Sequence, residues 1–266
     1  DAPDDVNYAK IYQSRFQVLR SAFQRSRHRD TQEYRAFCEA QALWLEDYAL
    51  YMALKDSFEG HEWLRWPEKI RLRDAEEVEI WSGLLEEERD FWKFCQYKFF
   101  EQWDRIRTYA KQNGVQIIGD IPIYVALDSA DVWVHGELFQ LDEQRRPTCV
   151  AGVPPDAFSE TGQLWGNPLY DWEEMERMVE TGGFQIIAHL DYPKRYYNAC
   201  LFEDQTVLRI LQKACDKGMA LEINTSPFRK EETEPMPGSR LLELYAKAGG
   251  YHITLGSDAH EPEQVG

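Results

Sequence analysis

Near residue 114 the rhythm of apolar residues changes, and that change limits the folds open to this chain. Before it, apolar side chains recur every three or four residues. Residues 8–23 place Tyr8, Ile11, Tyr12, Phe16, Leu19 and Phe23 at this spacing, which predicts a helix. A second helix is predicted over 31–55, with Phe37, Leu43, Trp44, Tyr48 and Met52 on its apolar side. The tryptophan-rich stretch 60–67 reads as a loop. A third helix is predicted over 74–112, with Trp81, Leu84, Leu85, Phe91, Phe94, Phe99, Trp103 and Ile106 in its stripe. Gly114 is its expected stop.

After residue 114 the apolar runs become short. Residues 115–125 are rich in β-formers and read as a buried strand. Asp128 and Ser129 are expected to cap a short helix running through Trp133. Residues 136–170 hold many Gly and Pro and no clear period, so a long loop is expected there, of the kind that is usually functional. From Phe184 the pattern alternates strand and helix. Strands are predicted over 184–188, 219–223 and 251–255, and helices over 203–216 and 239–247. This spacing suits parallel βα units. With residues 115–124 it gives four parallel strands, half of an eight-stranded barrel. The expected fold is α/β: a partial or hybrid (β/α) barrel with a helical N-terminal region, divided at 1–114, 115–180 and 181–266. An unclosed barrel leaves a sheet edge, and pairing of that edge in a homodimer is expected.

Net charge is −17, from 30 basic and 47 acidic residues. Such a surface repels phosphate backbones and anionic lipid, which argues against nucleic-acid and membrane roles. It places no limit on a neutral substrate. Cys38, Cys95, Cys149, Cys200 and Cys215 form no CxxC pair, and they read as reduced thiols of a cytoplasmic protein. No apolar run approaches the roughly 18 residues of a membrane helix, and no basic-then-apolar leader precedes the helices. The chain opens at Asp1 without Met, which reads as a trimmed or partial sequence.

Polar residues gather at the predicted strand ends. Asp120 lies within the first strand, and His189 and Asp191 follow the second. Glu222 and Asn224 close the third, and Asp258 and His260 follow the fourth. In α/β proteins these positions share the rim where sites are built. The plainer reading is that each caps the next turn. Imidazole and carboxylate at His189, Asp258 and His260 suit zinc, manganese or iron. A catalytic zinc takes three protein ligands plus water. In residues 151–172, Phe158, Trp165, Tyr170 and Trp172 are flat apolar surfaces suited to stacking on sugar rings. Asp156, Asn167 and Asp171 can hydrogen-bond hydroxyls. The alternative is a compact loop packed on its own aromatics.

The segments KFFEQW (98–103), IIGDIPIYVALDSADVW (117–133), LFQLDE (138–143) and VAGVPPDAFSETGQLWGNPLYDW (150–172), with WLEDYALYMALK (44–55), resemble amylomaltases, the bacterial 4-alpha-glucanotransferases. The likeness runs over about residues 5–176. It implies a (β/α)8 barrel with helical insertions and transfer of 1,4-alpha-glucan segments through a covalent glycosyl-enzyme. It also implies a maltooligosaccharide or other 1,4-alpha-glucan as partner, and no cofactor. By this resemblance Asp120 borders the donor site. Residues 151–158, with Asp156 and Phe158, belong to the loop arching over the glucan, and Trp165, Asn167 and Pro168 lie in the motif beside it. The chemistry needs a nucleophilic carboxylate and a separate acid. The family's R-I-D-H-F, E-D-L-G and H-D-N motifs and its P-Y-Q-type segment do not occur here. Glucan binding with weak or no turnover is therefore expected. Asp191, which follows the strand standing in for R-I-D-H-F, is the one catalytic candidate.

The segments GFQIIAHLDYPKRY (183–196), ALEINTSPFRK (220–230) and GGYHITLGSDAHEPEQVG (249–266) resemble histidinol phosphatases of the polymerase-and-histidinol-phosphatase family. This likeness implies a metal-dependent phosphoesterase on a (β/α)7 barrel. His189, Asp258 and His260 would be ligands of a divalent metal, and Arg195, Arg229 and Lys230 phosphate-side groups. That family's N-terminal H-x-H motif does not occur in the chain. The two likenesses meet near 178–183, in a connection between strands. Three readings follow: a glucan-binding transferase derivative, a metal-dependent phosphoesterase, and an inactive hybrid scaffold.

Overall fold

Asn7 opens the first helix, Tyr8–Arg25, by accepting a hydrogen bond from the Lys10 amide at 3.0 Å. The computed structural model describes residues 7–117, 124–153, 163–188, 204–230, 234–257, 259 and 262–264. Two compact units result. One comprises Asp1–Pro122, Asp128–Gly136 and Gln144–Arg146; the other comprises Ile123–Leu127, Glu137–Glu143 and Pro147–Gly266.

The first unit is helical, as the spacing predicts, but two helices are interrupted. The stretch expected as one helix over 31–55 is Gln32–Ala40 followed by Ala42–Ser57, with the break at Gln41. The break resets the helical phase, so the apolar face projected from Phe37 is wrong beyond it. Leu43 is 95% exposed, whereas Leu45, Ala49, Leu50, Ala53 and Leu54 are buried. The predicted helix 74–112 is likewise Ala75–Leu84 and Glu86–Gln112, parted at Leu85. Asp74 caps the first of these through the Glu77 amide. Gly114 does end the second, with φ at +71° and the Val115 amide donating back to the Ala110 carbonyl. Phe91 and Phe94 of the long helix are buried, whereas Phe99 and Ile106 are more than half exposed. Phe23, Ala49, Ala53, Phe91, Trp92 and Phe94 form a core, with Phe23 edge-on to Phe91.

Asp128 holds the rest of this unit. It was expected to share the cap of the short helix Ala130–Val134, but Ser129 alone makes the cap, through the Val132 amide. Asp128 instead accepts from the Tyr51 hydroxyl (2.8 Å), Lys55 Nζ (2.6 Å) and the Trp63 amide (3.2 Å). Burial pushes its carboxyl up, and these hydrogen bonds outweigh that and leave it below the usual value. The stretch 60–67, read as a loop, includes the single 3₁₀ turn Trp63–Arg65, and its Trp63 and Trp66 are buried. Trp66 meets Trp133 edge-on at 5.5 Å. Trp133 donates to the Ile70 carbonyl.

The second unit contains two sheets. β1 (Val150–Val153) and β2 (Gln163–Pro168) pair antiparallel. This corrects the expectation of a structureless loop over 136–170. Gly and Pro mask the strand signal there, because the pairing is irregular and carried by backbone. The other sheet is parallel, in the order β3 (Ile186–Ile187), β4 (Ala220–Asn224), β5 (Ile253–Gly256). The helices Asp204–Asp216 and Ser239–Lys247 complete the βα units with bounds close to those predicted. Leu221, Ile210, Leu211, Leu241 and Leu244 are among the residues of the core between sheet and helices. The predicted fourth strand, 115–125, lies mostly outside the described residues, and 115–117 and 124–125 are not in a strand. Three parallel strands, rather than four, are therefore present among the described residues. The chain has a mixed α/β fold, helix-rich with small sheets.

Among the described residues no helix is long and apolar enough to cross a membrane. Cys38, Cys95, Cys149 and Cys215 are free thiols. Burial pushes the Cys95 thiol up to about 11.

Candidate functional site

The β1–β2 hairpin presents the best-formed site among the described residues. Its register pairs Val150 with Pro168 but Gly152 with Leu164. Three residues of β2, Trp165, Gly166 and Asn167, therefore oppose Ala151 alone. Such a bulge bends its strand and re-aims side chains. Gly166 makes it possible, with φ at +77°, a conformation costly for any residue with a Cβ. Trp165 emerges from the bulge 37% exposed. Its ring meets Tyr124 at 6.4 Å and 61°. Asn167 turns the other way and donates from Nδ2 to the Val125 carbonyl at 2.8 Å. That bond ties the hairpin to the segment following the expected strand 115–125. Asn167 is thus a strut for the site, and its amide N–H is engaged by backbone.

A second backbone pairing supports the hairpin. The Gln140 amide donates to the Leu169 carbonyl, and the Asp171 amide donates to the Leu138 carbonyl. Phe139 stacks on Tyr170 with centroids 5.0 Å apart. Tyr170 is therefore occupied as packing, which bears out the plainer reading for that ring. Asp171 is half-buried at the end of this pairing. Asp120, Asp156 and Phe158, also expected to meet substrate, lie outside the described residues. Tyr124 was not singled out from the sequence. Its position beside an expected strand gave no sign that it would meet Trp165.

The parallel sheet offers a second set of polar residues at its C-terminal rim. Glu222 and Asn224 point from β4 to the face opposite Leu221. Asn224 is 2% exposed and donates from Nδ2 to Glu222 Oε1 at 3.2 Å. Its Oδ1 accepts from the Ser226 amide at 2.9 Å. The Glu222 carboxylate leans over Gly256 of β5, where an added Cβ would fall 2.9 Å from it. Arg229 lies on the same rim, because its Nη1 donates to the Ser257 carbonyl. Lys230 follows it in a 3₁₀ turn. His189, Asp191, Arg195, Asp258 and His260 lie outside the described residues. Among the described residues no three His, Cys, Asp or Glu side chains are grouped to hold a metal ion.

A concavity of about 590 Å³ in the helical unit is a poorer candidate. Its basic groups are already paired. Arg29 meets Asp90 and Glu87, and both Arg89 and Lys93 meet Glu46. These are surface ion pairs, which typically contribute little.

The family profile described as 4-alpha-glucanotransferase matches residues 1–184. The 4-alpha-glucanotransferase of Thermus thermophilus is 49% identical over 176 residues, 65% of this chain and 35% of that protein. That of Clostridium butyricum is 45% identical over 178 residues, 66% of this chain and 37% of that protein. The chain spans about a third of the length of these relatives. A solved structure, amylomaltase from Streptococcus agalactiae in complex with acarbose, superposes with a TM-score of 0.63 at 29% identity. That superposition covers 97% of this chain and 51% of the amylomaltase, so the βα units beyond residue 184 also follow part of that fold.

Proposed function

Because the chain belongs to the 4-alpha-glucanotransferase family, by a match over residues 1–184, we propose that it binds 1,4-alpha-glucan chains on the β1–β2 hairpin. The observation that carries this reading is the presentation of Trp165 from the bulge at Gly166. A ring held by backbone geometry rather than by a flexible loop is pre-organised, so little ordering cost is added on binding. Support also comes from the neutral character of the hairpin and from the acarbose bound by the related Streptococcus agalactiae amylomaltase. Asp120, Asp156, Phe158 and Asp171 are assigned to the same glucan surface on the strength of their motifs.

Turnover is proposed to be weak. Retaining transfer needs two carboxylates about 5–5.5 Å apart, and the family's carboxylate motifs do not occur in the sequence. Isothermal titration of maltotetraose into the protein, paired with a maltotriose disproportionation assay, tests both statements. Saturable binding with slow or no disproportionation is expected. No binding would end the reading. Disproportionation at an ordinary enzymatic rate would end the statement on turnover, and comparison with Asp191→Asn would then decide that residue's part.

A second reading applies to the C-terminal part, and the end of the family match at residue 184 favours it. We propose that residues 184–266 form a remnant of a metal-dependent phosphoesterase, with His189, Asp258 and His260 holding a zinc, manganese or iron ion and Arg195, Arg229 and Lys230 facing phosphate. This rests on sequence motifs. Metal analysis of the purified protein beside His260→Ala tests it, and a wild type without stoichiometric metal would reject it.

A further inference from the structure

We propose that Glu222 is a second glucan contact, a carboxylate that accepts hydrogen bonds from sugar hydroxyls on the inner face of the parallel sheet. This rests on the glucan reading and adds a residue to it.

Side chains alternate across a strand, so the register separates two faces of the sheet. Leu221 and Ile223 share one face with their partners Ile253 and Leu255, and Leu221 lies in the core under the helices. Ala220, Glu222 and Asn224 lie on the other face, with Thr254 beside Glu222 and Gly256 beside Asn224. Apart from Ile186, paired with Ala220, this face carries no large apolar side chain. It lacks the surface a packed helix layer would require. Small residues leave room above the sheet at the C-terminal end of parallel strands, where such folds take their ligands.

Glu222 is the only carboxylate carried by a strand among the described residues. Its placement is built from two sides. Asn224, itself buried, holds Oε1 and is held in turn by the Ser226 amide. Gly256 supplies the gap into which the carboxylate leans. A buried amide fixing a strand carboxylate over a glycine determines the direction of its acceptor oxygens. A carboxylate has about four acceptor positions, which suits neighbouring hydroxyls of a sugar ring. A few fixed polar groups of this kind provide orientation in ligand sites.

The test is isothermal titration of maltotetraose into the full chain and into Glu222→Gln, with thermal unfolding of each. The variant is expected to bind roughly tenfold more weakly or worse, as loss of a charged hydrogen-bond acceptor predicts, with an unchanged melting temperature. Gly256→Ala, which displaces the carboxylate without removing it, is expected to weaken binding similarly, and the double variant to lose no more than Glu222→Gln alone. Tight binding by the wild type with equal affinity in Glu222→Gln overturns this proposal and leaves the glucan reading standing. No binding by the wild type overturns both. If Glu222→Gln does not fold, Gly256→Ala decides, and unchanged affinity there overturns the proposal.

Discussion

Trp165 meets Tyr124 edge-on, with ring centroids 6.4 Å apart and planes at 61°. An edge contact supports the indole from the side and leaves its faces to other partners. Trp165→Ala is expected to weaken maltotetraose binding roughly ten- to a hundredfold, the ~1.5–3 kcal/mol of a large apolar side chain. Tyr124→Ala should weaken it less, since it removes only the support. Titration calorimetry checks both, and equal affinities throughout would count against the hairpin as the sugar surface.

Gly166 separates geometry from chemistry at the same place. No atom lies within 4 Å of a Cβ built there, so Gly166→Ala meets backbone strain alone. It is expected to cost about 1–2 kcal/mol of stability and to weaken glucan binding by re-aiming Trp165. Thermal unfolding and titration of the one variant give both numbers.

Asp128 and Asp90 make the helical unit sensitive to acid. Burial raises both carboxyls. For Asp90, hydrogen bonds from Tyr34, Arg29 and His28 outweigh it, as those from Lys55, Tyr51 and Trp63 do for Asp128. Both therefore lie below the usual 3.8. A lowered folded-state value gives stability that is fully present above 3.8 and is lost as pH falls through the lower value. Asp56 opposes this, since burial holds it above 3.8 and its protonation favours the folded state. Melting temperatures taken from about pH 5 to about pH 2.5 should fall, and Asp128→Asn should flatten that fall. At neutral pH, Asp128→Ala is expected to cost roughly 2–4 kcal/mol, because it leaves a buried amide and phenol unanswered.

Gly250 tests the packing of the parallel unit. A Cβ there would lie 2.3 Å from the Tyr245 ring. Tyr245 is buried and its hydroxyl donates to the His252 carbonyl. Gly250→Ala should therefore destabilise by about 1–3 kcal/mol through overpacking. An unchanged melting temperature would mean the ring has somewhere to go.

β5 carries Ile253 and Leu255 more than half exposed, on the face that Leu221 buries elsewhere. We propose that two chains pair through this region, as the open sheet predicts. Light scattering should show a dimer, and a clean monomer at high concentration would reject the pairing.

Legibility from sequence followed the kind of interaction involved. The helix Ser239–Lys247 was readable to the residue because its amphipathic spacing is uninterrupted. The helix pairs around Gln41 and Leu85 were not, since each break is a backbone turn with no Gly or Pro to announce it. Leu43 was misplaced for that reason. Trp165 was readable as a sugar-type surface from its composition. Its bulge was not, because the register of β1 on β2 depends on pairing between distant residues. Asn167 was read as a ligand contact and is a strut. The families behind the motifs were readable in part. The glucanotransferase likeness stands over residues 1–184, and the phosphatase likeness rests on the motifs that suggested it.

The three hydrogen bonds to Asp128 have a consequence for exchange with solvent. The Trp63 amide belongs to a short 3₁₀ stretch that would ordinarily exchange its proton quickly. Here it is bound to a carboxylate that also holds Tyr51 and Lys55, more than sixty positions before it in sequence. Its proton can leave only when contacts from three separate segments open together. The Trp63 amide should therefore rank with the most protected sites of the long helices, and its deuterium uptake would report the opening of the whole helical unit.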